Sequence, residues 1–131
     1  MGRTANRQTQ QQTLETLEAV EIAARVAGDK KATEIVALDL REVASFTEYF
    51  VICTGANTRQ VQAISNSVEE ELRRVGKRPL HIEGYSTGEW ILLDYGDFIM
   101  HVFSNSSRRF YDLERLWRDA APVTLPEELR G

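Results

Sequence analysis

The 131-residue chain is short of the residues that staple, punctuate or metallate a protein: it has one cysteine, three prolines and two histidines. A lone Cys53 excludes an internal disulfide and fits a reducing compartment. His81 and His101, even taken with Glu83 and Cys53, give neither zinc-finger spacing nor a helical HxxxH pair, so ordinary strand residues are expected and no metal. No apolar run approaches the roughly 20 residues of a membrane-spanning helix. The polar start, Met1 to Gln12, lacks a signal-peptide core. Met1-Gly2 opens like a myristoylation signal, but Asn6 stands where Ser or Thr is required. Arg3 and Arg7 without acids are too short a stretch for a transit peptide. Positive charge is also in deficit: 16 Lys and Arg stand against 20 Asp and Glu, for a net charge of -4. A chain of this balance is ill suited to wrapping RNA or DNA and is steered toward basic partners.

What remains is ordinary for one soluble domain, with 42% hydrophobic and 27% charged residues. Residues 1–12, rich in Gln, Thr and Asn, read as a disordered tail. A helix is predicted over 13–27, with Leu14, Leu17, Val20 or Ile22, and Ala24 at helical spacing, stopped by Gly28-Asp29. Ile35-Val36-Ala37-Leu38 and Tyr49 to Thr54 read as buried strands. Asn57 and Gln60 have capping-box spacing. The helix they open carries Val61, Ile64, Ser65, Val68, Leu72 and Val75 inward and ends at Gly76. Strands follow at 80–83, 90–95 and 98–103, then a helix over 107–119 with Phe110, Leu113, Leu116 and Trp117. Pro122 and Pro126 mark a second tail, 120–131. The order α-β-β-α-β-β-β-α implies a single α/β (α+β) domain over 13–119, with helices packed on a mixed five-stranded sheet.

Few residues invite chemistry. Gly55 to Arg59 joins a strand to a helix, where phosphate can bind, but lacks the Walker and GxGxxG patterns. Asp94 and Asp97 are three apart and are not aimed at one metal. No serine sits beside a plausible base, and Cys53 lies in an apolar strand, a place for an inert thiol. Arg108, Arg109, Arg115 and Arg118 are interspersed with Asp112, Glu114 and Asp119, so a solvated face is the simpler reading than an RNA-binding stripe.

The hairpin is the most informative segment. With Gly96-Asp97 as a type II′ turn, Tyr95 pairs with Phe98, Leu93 with Met100 and Ile91 with Val102. These share one apolar face, the expected core. The other face sets Asp94 beside Ile99, Leu92 beside His101 and Trp90 beside Phe103. It fits either a second core face under a helix or a Trp-centred docking patch.

Several blocks carry a family resemblance. Thr47 to Gly55 (TEYFVICTG) with Arg59-Gln60-Val61 and Ala63-Ile64 is one. Glu83-Gly84-Tyr85, Gly88 to Asp97 (GEWILLDYGD), His101-Val102-Phe103 and Arg109 to Trp117 (RFYDLERLW) are stronger. Together they cover about Leu14 to Trp117 and resemble the Iojap family of ribosomal silencing factors. Ser86 and Cys53 depart from common family residues without disturbing the match. The resemblance implies a nucleotidyltransferase-like fold without the catalytic signature, no enzyme activity and no cofactor. It implies binding to the large ribosomal subunit through its protein number fourteen, which blocks small-subunit joining under nutrient limitation. A homodimer off the ribosome follows from the same resemblance, and the short N-terminus argues for a bacterial cytosol over an organelle. It favours Trp90, Leu92, Asp94 and His101 as docking residues, with Tyr85 and Asp97 nearby. The alternatives are a large-subunit assembly factor using the same surface, and a nucleotide- or phosphate-handling enzyme built on Gly55 to Arg59 with Asp39, Asp94 and Asp97.

Overall fold

An apolar run with no polar alternation has no solvent face, and the run beginning at Tyr49 lies at the centre of the sheet. The computed structural model describes residues 2–126, with side chains from Thr16 onward. Strand β2 (Tyr49–Gly55) is buried along its whole length. It pairs antiparallel with β1 (Thr33–Asp39) and parallel with β5 (Phe98–Ser104). Beyond β5 lie β4 (Trp90–Asp94) and β3 (His81–Glu83), both antiparallel. At the opposite edge β6 (Ala121–Pro122) pairs with β1, giving the order β3-β4-β5-β2-β1-β6. A parallel pair needs a long crossover. Helix α2 (Thr58–Arg74), β3 and β4 supply it between β2 and β5.

The sheet is mixed, as expected, but has six strands and not five. The sixth comes from the segment expected to be a tail. Pro122 can close a sheet because an edge strand has a side that donates no ladder bonds. Val123 then donates its N–H to the Ala37 carbonyl at 2.9 Å, and Leu125 is buried in the core. The domain therefore continues past residue 119; residues 127–131 lie outside the described residues. The N-terminal boundary moves too, since α1 spans Gly2–Asp29 in place of a tail over 1–12 followed by a helix from Thr13. No proline interrupts this stretch, and Gln, Arg and Ala are good helix formers.

Helices α1 and α2 cover one face of the sheet. Val20, Ala23, Ala24 and Ala27 of α1 and Val61, Ile64, Val68 and Leu72 of α2 pack on Val51, Ile91, Leu93, Met100 and Val102. Alanines on α1 let the two helices approach closely. Asn57 caps α2 by accepting from the Gln60 N–H at 2.8 Å, and the Gln60 side chain reaches back to the Ala56 N–H. Val75, expected inward, is exposed, because the helix ends at Arg74 and Val75 is its C-cap.

On the other face Leu40, Phe50, Ile52 and Phe103 form a second, smaller core with Leu113 and Ala120. Its cover is the loop after Leu40 and two short helices, α3 (Asn105–Tyr111) and α4 (Leu113–Leu116). One helix was expected over 107–119. Asp112 divides it by adopting a left-handed conformation with φ 48, which aspartate tolerates better than most residues. The cap of α3 is Ser104, whose Oγ accepts from the Ser107 N–H.

Candidate functional site

The hairpin has the predicted register: Trp90↔Phe103, Ile91↔Val102, Leu92↔His101, Leu93↔Met100 and Asp94↔Ile99. Tyr95 N–H donates to Phe98 O at 2.9 Å. Gly96 has φ +87 and Asp97 no positive φ, the pattern of a type II′ turn. Ile91, Leu93, Tyr95, Phe98, Met100 and Val102 are buried under the helices. Trp90, Leu92, Asp94, Ile99, His101 and Phe103 consequently share the opposite face.

That face is neither a plain second core nor an open patch, because α3 and α4 cover only part of it. Phe103 and His101 are buried, whereas Trp90, Leu92, Asp94 and Ile99 are half-buried. An aromatic chain runs along the margin. Trp90 packs at a tilt against Phe103 and Tyr111, with ring centroids 5.0 and 4.6 Å apart. Phe50 sits edge-on to His101 and to Trp117, and Phe46 leans on both Phe50 and Trp117. Phe46, Phe110, Tyr111 and Leu116 are exposed, Phe110 to 81% and Leu116 to 71%. Large apolar side chains in that state, contiguous with half-buried Trp90 and Leu92, make a surface that water solvates poorly.

Phe46, Tyr111, Trp117 and Ile99 were not singled out as docking residues. One signal existed for Tyr111: adjacent Phe110 and Tyr111 project about 100° apart on a helix and cannot both face one core. Nothing local marked Phe46, whose place depends on a loop folding back across the sheet.

The six expected site residues do not form one cluster. Trp90, Leu92, Asp94 and His101 share the face. Tyr85 lies toward α2, where its hydroxyl accepts from Asn66 at 2.9 Å and its carbonyl from Gln62 at 2.8 Å. Asp97, at the hairpin tip, accepts from Thr16 Oγ1 at 2.8 Å and Lys77 Nζ at 2.7 Å, an anchor to α1 and to the residues after α2. Asp94 accepts from the Gly96 N–H at 2.8 Å, bracing the turn, and sits 3.6 Å from His81 Nε2. Gly84, with φ +81, passes so close to Trp90 that a Cβ there would collide with the Trp90 carbonyl oxygen. The chain ahead of β4 thus fixes where Trp90 sits.

His101 orients the tryptophan. Its Nδ1 accepts from the Trp90 indole N–H at 3.0 Å. The neutral ring must then carry its proton on Nε2, which has no partner among the described residues. Burial pushes the imidazole pKa down to about 3. The unfolded chain, with an ordinary histidine, binds a proton below pH ~6.5 that the folded protein refuses. Stability should therefore be full above pH ~6.5 and fall as the pH drops toward 3, by about 2 kcal/mol at pH 5 from this residue. Urea melts of wild type and His101→Asn at pH 7 and 5 check this. Asn can still accept from the indole, and its melts should lack that acid sensitivity. Equal sensitivity in both would refute the assignment.

The remaining candidates are accounted for structurally. At the strand–helix junction the Ala56 and Gln60 amides are capped internally, leaving little to cradle a phosphate. Cys53 is buried, and its thiol is pushed up to about 12 by desolvation. Among the described residues no group of three His, Cys, Asp or Glu could hold a metal, and no helix is long and apolar enough to cross a membrane. Asp39 is held below its ordinary carboxylate value by the Arg41 guanidinium, which bonds it at 2.8 and 3.0 Å.

Residues 13–130 match the family described as ribosomal silencing factor during starvation. The chain is 37% identical over 108 residues to ribosomal silencing factor RsfS of Halalkalibacterium halodurans, covering 82% of this chain and 92% of that one. It is 39% identical over 101 residues to RsfS of Bacillus subtilis, covering 77% and 86%. A crystal structure of a Chromobacterium violaceum protein superposes with a TM-score of 0.76 at 35% identity, covering 78% of this chain and 85% of that one.

Proposed function

Since the chain belongs to the family of ribosomal silencing factors during starvation, we propose that it docks on the large ribosomal subunit through that subunit's protein number fourteen and keeps the small subunit from joining. It performs no reaction, and a nucleotidyltransferase-like fold serves here as a scaffold. The observation that carries this reading is the partly covered face around Trp90, Leu92 and Ile99, rimmed by exposed Phe46 and Tyr111. Its apolar centre supplies affinity once desolvated. Asp94 and, on the paired strand β3, Glu83 stand on the same side of the sheet and present acid to a basic ribosomal protein. Repression is then competition for space, with translation falling when nutrients are scarce and the protein acting in the cytoplasm. The free protein covers the same face by homodimerisation, so dimer and ribosome complex exclude one another.

Sedimentation of purified large subunits with the protein, followed by addition of small subunits, tests the proposal. Co-sedimentation with the large subunit and a reduced fraction of joined ribosomes is the expected outcome. Firm binding that leaves joining unimpaired would remove the blocking mechanism. Cross-links between two copies that persist in the ribosome complex would remove the competing dimer.

A further inference from the structure

We infer that the outer side of α3 and α4 is a second contact surface, one that grips the sugar–phosphate backbone of ribosomal RNA next to the docked protein. The inference rests on the large-subunit reading above and extends it. The observation is a shallow depression of about 640 Å³ lined by Arg109, Phe110, Tyr111, Arg115, Leu116 and Arg118, together with Asp112 and Asp119. In the sequence four arginines stand against Asp112, Glu114 and Asp119; the fold pairs Arg108 with Glu114 and leaves three arginines against two aspartates, none of them ion-paired among the described residues, around the depression. Arg108 turns inward and is 5% exposed, and Glu114 answers it in a two-point ion pair. Arg109, Arg115 and Arg118 remain exposed, and none has an ion-pair partner among the described residues. In a chain of net charge -4, unpaired guanidiniums gathered around one depression are a local exception.

Two features select RNA as the occupant. Phe110 is 81% exposed and edge-on to Tyr111 at 5.0 Å, so an open aromatic lies among the guanidiniums, the pairing that holds backbone and base together. The depression is also continuous with the docking face, because Tyr111 lines it and packs against Trp90. Glu83 and Asp94 flank the face on the β3 side, and the arginines flank it on the helix side. A protein on a ribosome meets two kinds of surface, basic protein and anionic RNA, and the two flanks are complementary to one each. Contact with phosphates carries no sequence preference.

The test compares the full chain with the triple variant R109Q/R115Q/R118Q and with Phe110→Ala. These side chains are exposed, so unchanged melting is required of each. Three probes are used: large subunits, isolated ribosomal protein fourteen, and an RNA hairpin. The triple variant should bind subunits about tenfold more weakly, and its slope of log affinity against log salt should be shallower by about 2. Its binding to the isolated ribosomal protein should be unchanged. Wild-type affinity and slope in the variant would overturn the inference. An equal loss on subunits and isolated protein would also overturn it, assigning the arginines to the protein partner. Should wild type fail to bind subunits, the silencing reading falls and the hairpin decides. Salt-sensitive hairpin binding that both variants lose sustains an RNA surface, and none in wild type ends it.

Discussion

Replacing Trp90 by alanine is expected to weaken binding to large ribosomal subunits by about a hundredfold, the loss typical of an aromatic anchor at an interface centre. The size follows from where the ring lies. Phe103 and Tyr111 pack against it, and His101 takes its only polar hydrogen, so the indole is held rigid and offers its ring, not its N–H, to a partner. A pre-positioned ring loses little conformational freedom on docking. The same substitution leaves the His101 acceptor unmatched and opens space beside Phe103. A stability cost of about 2 kcal/mol is expected, below the 3–5 of a fully buried tryptophan. Binding must therefore be measured at a temperature where the variant is folded, by sedimentation with subunits beside a melting curve. Phe46→Ala gives the companion measurement: Phe46 is 56% exposed, so its loss should lower affinity less and stability hardly at all. Wild-type affinity in a folded Trp90→Ala protein would move the contact off this face.

Arg108→Ala should cost about 3 kcal/mol of stability, more than any other single charge removal in the described structure. Its guanidinium donates to both carboxylate oxygens of Glu114, at 3.0 and 2.8 Å, and to Thr54 Oγ1 at 2.9 Å. One buried side chain thus ties α3, α4 and β2 together across the left-handed break at Asp112. Truncation strands the Thr54 hydroxyl, empties the volume of the stem and frees α4 from the sheet. Glu114 is 38% exposed and can rehydrate, which keeps the expected cost toward the low end for a broken buried pair. Equilibrium urea unfolding measures it. Arg108→Met, which keeps the stem without the charge, should recover part of the loss. A cost below about 1 kcal/mol for Arg108→Ala would show that water already serves this network. Since α3 carries Tyr111 over Trp90, the same variant should also bind subunits less tightly.

How far the site could be read beforehand depends on the range of the interactions involved. The hairpin register followed from two turn residues and a period-two pattern, so the shared face of Trp90, Leu92, Asp94 and His101 was legible. Tyr85 and Asp97, placed nearby by the family resemblance, take their hydrogen bonds elsewhere. The hairpin tip is clamped by Thr16 and Lys77, and Tyr85 by Asn66 and Gln62, all on the helix side. The arginines show the converse: charge order along a helix could not reveal that Arg108 would turn inward with Glu114 as its partner.

The sequence by itself determined the α/β class, five strands, both main helices and the face each hairpin residue takes, because apolar periodicity, caps and turn residues act over a few neighbours. Tertiary structure alone decided the rest. Ala121-Pro122 became a strand because β1 had a free edge to offer, and the final helix split because Asp112 could turn left-handed while Arg108 anchored both halves. Part of the second sheet face is left uncovered by the described residues because two short helices span less than a sheet of six strands. Burial of that kind is a property of area and distance between segments far apart in the chain, and no local pattern encodes it.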